Sequence, residues 1–149
     1  MPIAIKDSKI DITSEKITKE LAKKFTKYLK GGEFIFLYGE MGVGKTTFVK
    51  YFINEFQTLN NSPQTEIMSP TFSLLNEYQV QDIRIKHYDL FRINNKEDID
   101  NLDIFEKDNK LITLIEWPQL LADIENIKSI DLTFSYLNDL NDRSVDIKL

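Results

Sequence analysis

Apolar positions follow two rhythms along this chain, and each change of rhythm marks an element. Ile17, Leu21, Ala22, Phe25, Tyr28 and Leu29 recur at helical spacing and predict an amphipathic helix. Thr13 or Ser14 stands where a capping hydroxyl is wanted, and Gly31-Gly32 stops the run. Phe34-Ile35-Phe36-Leu37-Tyr38 is apolar throughout, the pattern of a strand buried on both faces. A second helical stretch covers Thr47 to Phe56, and a polar connector follows from Thr58 to Gln64. Thr71 to Gln79 and Ile83 to Tyr88 read as strands around a tight polar turn at Val80 to Asp82. Asn94 to Phe105 reads as an acidic helix with Ile99, Leu102 and Phe105 inward, and Leu111 to Ile115 as another buried strand. Pro118 opens a short helix through Asp123. Alternating polarity at Ile130 to Tyr136 and Ser144 to Lys148 predicts a closing hairpin, while Lys6 to Ile12 is a weak first strand. Buried strands interleaved with helices point to an α/β fold: three layers, a mostly parallel central sheet, flanking helices and a C-terminal hairpin.

Composition narrows the class. At 149 residues the chain reads as a single domain, 1–149, with one well-buried core. The absence of cysteine rules out a disulfide framework or a thiolate metal site and suits a cytoplasmic protein. The start, Met1-Pro2-Ile3-Ala4-Ile5-Lys6-Asp7, lacks the apolar stretch of a signal peptide, and no run reaches the length of a membrane span. A net charge of -5 means that the surface as a whole does not attract nucleic acid. Any RNA would be held by another molecule.

All five glycines fall between Gly31 and Gly44, and three of them build one loop. After the apolar run come Gly39-Glu40-Met41-Gly42-Val43-Gly44-Lys45-Thr46, which is G-x-x-x-x-G-K-[ST] between a strand and a helix. Such a loop aims successive N–H groups at an anion, and the following helix adds its unpaired first-turn donors. The expected nucleotide contacts come from Met41, Gly42, Val43, Gly44, Lys45, Thr46 and Thr47. Lys45 reaches the β- and γ-phosphates, and the Thr46 hydroxyl takes a place on Mg²⁺. The ligand is a nucleoside triphosphate.

Hydrolysis needs more: an acid near Mg²⁺ and a group that orients water. Leu111-Ile112-Thr113-Leu114-Ile115-Glu116 places an acid at the end of a buried strand, where ligands of open α/β sheets lie. The alternative is a solvated glutamate where a strand leaves the core. His87-Tyr88-Asp89-Leu90-Phe91-Arg92 ends another strand. There Asp89 is the candidate for water or metal, and His87 reads as a structural hydrogen-bonding residue. Arg92 would neutralise developing charge or pair with an acid. Ser69-Pro70-Thr71-Phe72 is a stiff turn with two hydroxyls, either a γ-phosphate sensor or an ordinary turn. Asn95-Lys96-Glu97-Asp98 spells the N-K-x-D guanine signature, but no D-x-x-G precedes it, and the segment is a good helix opening in its own right.

These pieces, in this order, resemble one family: the small bacterial ATPase of tRNA threonylcarbamoyl-adenosine biosynthesis, TsaE, formerly YjeE. The resemblance runs through Gly39 to Thr47, Ser69-Pro70-Thr71-Phe72, Glu77-Tyr78, His87 to Arg92 and Glu116-Trp117-Pro118. Departures are mild: Glu40-Met41 replaces a usual Asp-Leu, Phe91 a tyrosine, and Asp103 a glycine. The resemblance implies a P-loop fold, ATP with Mg²⁺, Thr46 and Glu116 on the metal, and Asp89 together with Lys45 in turnover. It places Glu15 and Thr18 near the base and ribose, and Trp117 beside the metal-side acid. It also implies two partners, a catalytic threonylcarbamoyl-transferase subunit and its inactive paralogue, with tRNA reached only through them.

Two other readings stay open. A small-molecule or nucleoside kinase begins with the same loop but wants an acceptor pocket and an arginine-rich lid. The three arginines, Arg84, Arg92 and Arg143, do not cluster. A nucleotide-sensing module that barely hydrolyses ATP would share every motif.

Overall fold

A computed structural model describes residues 4–121 and 127–149. Among these, seven strands form one sheet in the order β1-β7-β6-β2-β5-β4-β3. The strands are β1 (Ser8–Asp11), β2 (Phe34–Tyr38), β3 (Leu75–Val80), β4 (Ile83–Asp89), β5 (Leu111–Glu116), β6 (Ser129–Tyr136) and β7 (Arg143–Lys148). The helices are α1 (Glu15–Tyr28), α2 (Lys45–Leu59) and α3 (Lys96–Asp100), with a 3-10 turn at Pro118–Leu121.

The four central strands β6, β2, β5 and β4 run parallel, while β3, β7 and β1 pair antiparallel. The sheet is therefore mixed, with three parallel and three antiparallel pairings, rather than mostly parallel. The reason lies in the connections. Hairpins join β3 to β4 and β6 to β7, and a short link forces antiparallel pairing where a helical crossover would not.

Side-chain alternation divides the core in two. Ile35 and Leu37 of β2 face α1 and α2 with Ile85, Ile112 and Leu114, whereas Phe36 faces the other side with Tyr88 and Ile115. That two-sided burial is why β2 and β5 show no polar alternation. On α2, Phe48, Phe52 and Phe56 pack at i, i+4 spacing, with centroids 6.5 and 5.8 Å apart. Each phenyl taken out of water contributes on the order of 1.5–3 kcal/mol. On the opposite face, Lys86 donates to Glu106 at 2.8 Å, and Arg84 pairs with Glu106 and with Asp108. These pairs hold the segment before β5 down on the sheet.

Several local expectations need revision. Ser14 occupies the N-cap of α1, but its side chain makes no capping hydrogen bond, and the Thr13 hydroxyl accepts instead from Arg143 N at 3.0 Å. The expected strand at Thr71 starts only at Leu75, because Leu74 has φ 68° and donates back to Pro70 O in a turn. The acidic helix ends at Asp100 rather than Phe105. The Tyr88 hydroxyl takes the Leu102 carbonyl at 2.7 Å, and Asp103 has φ 51°. That left-handed conformation favours glycine and is tolerated by aspartate. Asn95 does cap α3, accepting from Asp98 N at 3.0 Å. The expected helix from Pro118 is a 3-10 turn as far as Leu121, and its extension to Asp123 lies outside the described residues.

Candidate functional site

Strand register brings the sequence motifs to one place. In the parallel pairing Leu37 lies beside Glu116, and Glu116 beside Asp89, so the ends of β2, β5 and β4 are level. Glu116 continues the row of Ile112 and Leu114, and His87 and Asp89 continue the row of Ile85, on the face that carries α2. The residue that follows β2, Gly39, opens the glycine loop. Gly39 has φ 142°, and a Cβ there would stand 2.7 Å from Phe134 O, so no other residue fits without displacing backbone. The loop delivers Lys45 and Thr46 into the first turn of α2, where N–H groups lack intrahelical partners.

The Thr46 hydroxyl donates to Glu116 Oε1 at 2.9 Å and lies 3.1 Å from Oε2. His87 Nε2 lies 2.6 Å from Glu116 Oε2. Glu116 is only 2% exposed, which excludes the solvated strand end as its setting. Asp89 is also buried: Oδ1 accepts from Phe91 N at 3.0 Å, and Oδ2 from the Thr71 hydroxyl at 3.3 Å. Ser69 and Thr71 hydroxyls are 2.8 Å apart, which links the stiff turn to Asp89.

Lys45 is buried, its Nζ donating to the Gly39 carbonyl and standing 3.6 Å from the centroid of the Trp117 ring. Burial pulls its ammonium below the ordinary lysine range, while the carboxylates of Glu116 and Asp89 push back. Trp117 has φ 57°, so the chain turns sharply as β5 ends and lays the indole beside Lys45. Phe91 packs against it with centroids 4.8 Å apart.

These groups line a cavity of about 300 Å³ whose wall includes Met41, Gly42, Gly44, Lys45, Thr46, Thr47, Ser69, Thr71, Asp89, Phe91, Glu116 and Trp117. Val43 is placed differently. Its side chain is fully buried in the core, and its N–H donates to Glu40 O at 3.3 Å. Glu15 and Thr18 line a second cavity of about 100 Å³, which shares Gly44 and Thr47 with the first. Arg92 makes no ion pair among the described residues, and its guanidinium lies 5.0 Å from the Phe72 ring centroid. Sequence reasoning did not single out Arg143 for the site, yet it lines the second cavity. It sits at the start of an alternating strand far along the chain, and no local motif marks it.

Residues 12–145 match the family described as "Threonylcarbamoyl adenosine biosynthesis protein TsaE". The chain belongs to the TsaE family. A "tRNA threonylcarbamoyladenosine biosynthesis protein TsaE" from Rickettsia typhi is 37% identical over 137 residues, covering 92% of each chain. A protein of the same name from Aquifex aeolicus is 36% identical over 108 residues, covering 72% of this chain and 74% of its own. The fold is similar to the crystal structure of YdiB from Bacillus subtilis, with a TM-score of 0.70 and 22% identity. The match covers 97% of this chain and 86% of that one. The TsaE family takes part in threonylcarbamoyladenosine modification of tRNA. No helix among the described residues is long and apolar enough to cross a membrane.

Proposed function

We propose that this chain is a Mg²⁺-dependent P-loop ATPase, one domain over 1–149, whose ATP binding and hydrolysis drive and reset a threonylcarbamoyl-transferase complex acting on tRNA. The observation that carries the reading is the Thr46 hydroxyl donating to Glu116 at the mouth of the glycine loop. A hydroxyl and a buried carboxylate side by side are hard oxygen donors, and they fit a cation that keeps phosphate and water as its other ligands. Thr46 and Glu116 would hold Mg²⁺, which when bound neutralises charge on the β- and γ-phosphates.

The chain's own residues do the rest. Backbone N–H groups of the loop and the first turn of α2 receive the phosphates, and Lys45 moves from Gly39 O and the Trp117 face onto the anion. Asp89, fixed by Phe91 N and Thr71, is held level with Glu116 to accept a hydrogen bond from the attacking water. Thr71 ties Asp89 to the Ser69 turn, so a change at the γ-phosphate reaches an exposed edge where Phe72 is 83% exposed. The partners on that edge would be the transferase catalytic subunit and its inactive paralogue. With a net charge of -5, this chain leaves tRNA to them.

The test is reconstitution with the purified transferase pair, tRNA, ATP and the threonylcarbamoyl donor. Repeated rounds of modification should require this protein and Mg²⁺-ATP. Multiple rounds at full rate without it would overturn the proposal, and phosphorylation of a small molecule by the chain alone would replace it with a kinase.

A further inference from the structure

The glycine loop has little to hold it in shape from within. Among the described residues, the backbone from Gly39 to Gly44 closes one hydrogen bond on itself, Val43 N–H to Glu40 O at 3.3 Å. Its glycines sit at φ 142°, 80° and 121°, and glycine loses more freedom than any other residue when it is fixed. A loop that keeps its N–H groups free for an anion needs support from outside.

That support comes from β6. Phe134 and Tyr136 stand two positions apart and join the core on the face that carries α1 and α2. The Phe134 carbonyl is 2.7 Å from the point a Cβ on Gly39 would occupy, and its ring is 3.9 Å from the same point on Gly44. Phe134 is itself fixed, buried and packed against Phe48 with centroids 6.1 Å apart. Val43 is anchored by its side chain in the core. Gly42 remains. The Tyr136 hydroxyl stands 3.5 Å from its Cβ point, and beyond the loop's own neighbouring residues no other atom of the described residues comes within 4 Å. The Tyr136 ring packs on the core, yet the residue lines neither the cavity of about 300 Å³ nor that of about 100 Å³. It touches the loop rather than the space a ligand would fill.

We propose that Tyr136 is a positioning residue of the phosphate loop, holding Gly42 so that the loop's N–H groups already face the place of an anion. The proposal rests on the phosphate-binding reading above and adds what keeps the loop in that shape. A site formed in advance loses little binding free energy to its own ordering. Freeing Gly42 therefore weakens the grip on phosphate, whatever the phosphate is attached to.

The experiment is calorimetry of the full chain with inorganic tripolyphosphate and with ATP, beside thermal melts. The variants are Tyr136→Ala, Tyr136→Leu, Tyr136→Phe and Ile147→Ala. Tyr136→Leu keeps an apolar contact with the core but falls short of Gly42, so it carries the test even where the alanine variant does not fold. Both should bind tripolyphosphate and ATP about tenfold more weakly than wild type, by the same factor for each ligand. Tyr136→Phe keeps the ring and should stay within about threefold of wild type. Ile147, buried on β7 opposite Leu132 and Ser8, supplies the control. Its alanine variant should melt lower yet bind both ligands within about twofold of wild type, which separates positioning from stability. Unchanged tripolyphosphate affinity in folded Tyr136→Leu would overturn the proposal, as would a loss confined to ATP or an equal loss in Ile147→Ala. A fall in Tyr136→Phe as large as in Tyr136→Leu would make the hydroxyl a ligand contact and also overturn it. Wild-type protein that binds neither ligand overturns the phosphate-loop reading itself.

Discussion

His87 Nε2 lies 2.6 Å from Glu116 Oε2, and both side chains are shut away from solvent. An ionised carboxylate can only accept, so Nε2 carries the hydrogen and donates. The buried Nδ1 has no hydrogen-bond partner among the described residues. Glu116 is held from two sides, by His87 and by the Thr46 hydroxyl. Its rotamer is therefore set by these two contacts, the arrangement by which an outer group would orient Glu116 as the proposed metal ligand.

His87→Leu should accordingly raise the Mg²⁺ concentration needed for half-maximal nucleotide affinity by roughly tenfold or more. His87→Gln, which offers an amide N–H, should recover part of it. Calorimetric Mg²⁺ titrations beside thermal melts separate this from simple unfolding. An unchanged Mg²⁺ requirement in a folded His87→Leu protein would leave the histidine with packing alone.

Lys45→Ala removes a buried cation from the loop and, on the proposed reading, a charged donor to the β- and γ-phosphates, a contact worth roughly 1.5–3 kcal/mol. ATP affinity should drop about tenfold to a hundredfold, and turnover should vanish, with the melt retained. Unchanged ATP affinity by calorimetry would remove the phosphate loop from the site.

Glu116→Gln keeps the side chain's size and takes away its charge. Nucleotide should still bind in this variant, but turnover should no longer respond to Mg²⁺. Full Mg²⁺-dependent hydrolysis would show that the carboxylate holds no metal.

The carboxyl of Glu106 is held down at about 2 by hydrogen bonds from Arg84 and Lys86. A folded-state pKa below the unfolded one adds stability that is complete above the unfolded value and lost as pH falls through the folded one. Wild-type unfolding free energy should therefore fall as pH drops from about 4.5 towards 2. Glu106→Gln should flatten that limb while lowering stability near neutrality. Parallel acid limbs in urea titrations of the two proteins would separate Glu106 from the acid response.

That the glycine loop and the strand-end motifs share one cavity was legible because their residues sit in local motifs at strand ends. The continuous apolar runs of β2 and β5 fixed two central strands, and their two-sided burial follows from the same pattern. What stayed hidden depends on partners distant in sequence. The strand-end rule puts Glu116 near the loop of Thr46, 70 positions away, but their direct hydrogen bond comes from the register of β2 against β5. The early end of α3 reflects Tyr88 binding the Leu102 carbonyl, a contact no helical periodicity reports. Leu74 and Trp117 adopt positive φ without being glycine, so turn chemistry gave no warning of either. Arg143 carries no motif at all; only the fold lays β7 against the N-terminal strand and the loop's flank.

In the proposed ATPase cycle Asp89 would link the chemistry to the motion. Its two oxygens are held by Phe91 N and by Thr71, and Thr71 is in turn 2.8 Å from Ser69, on a turn whose tip exposes Phe72. Removing the carboxylate should therefore break two things at once, the hold on attacking water and the tie between the γ-phosphate and the exposed edge. Asp89→Ala should bind ATP within about threefold of wild type, because none of the phosphate-loop donors is altered. It should support at most one round of tRNA modification per transferase complex in the reconstituted system. Counting modified tRNA against complex over time reads this directly: a burst near one equivalent followed by a plateau is the expected trace. A linear trace at the wild-type rate would show that neither hydrolysis nor the Asp89–Thr71 link resets the complex, and it would return Asp89 to a purely structural role at the end of β4.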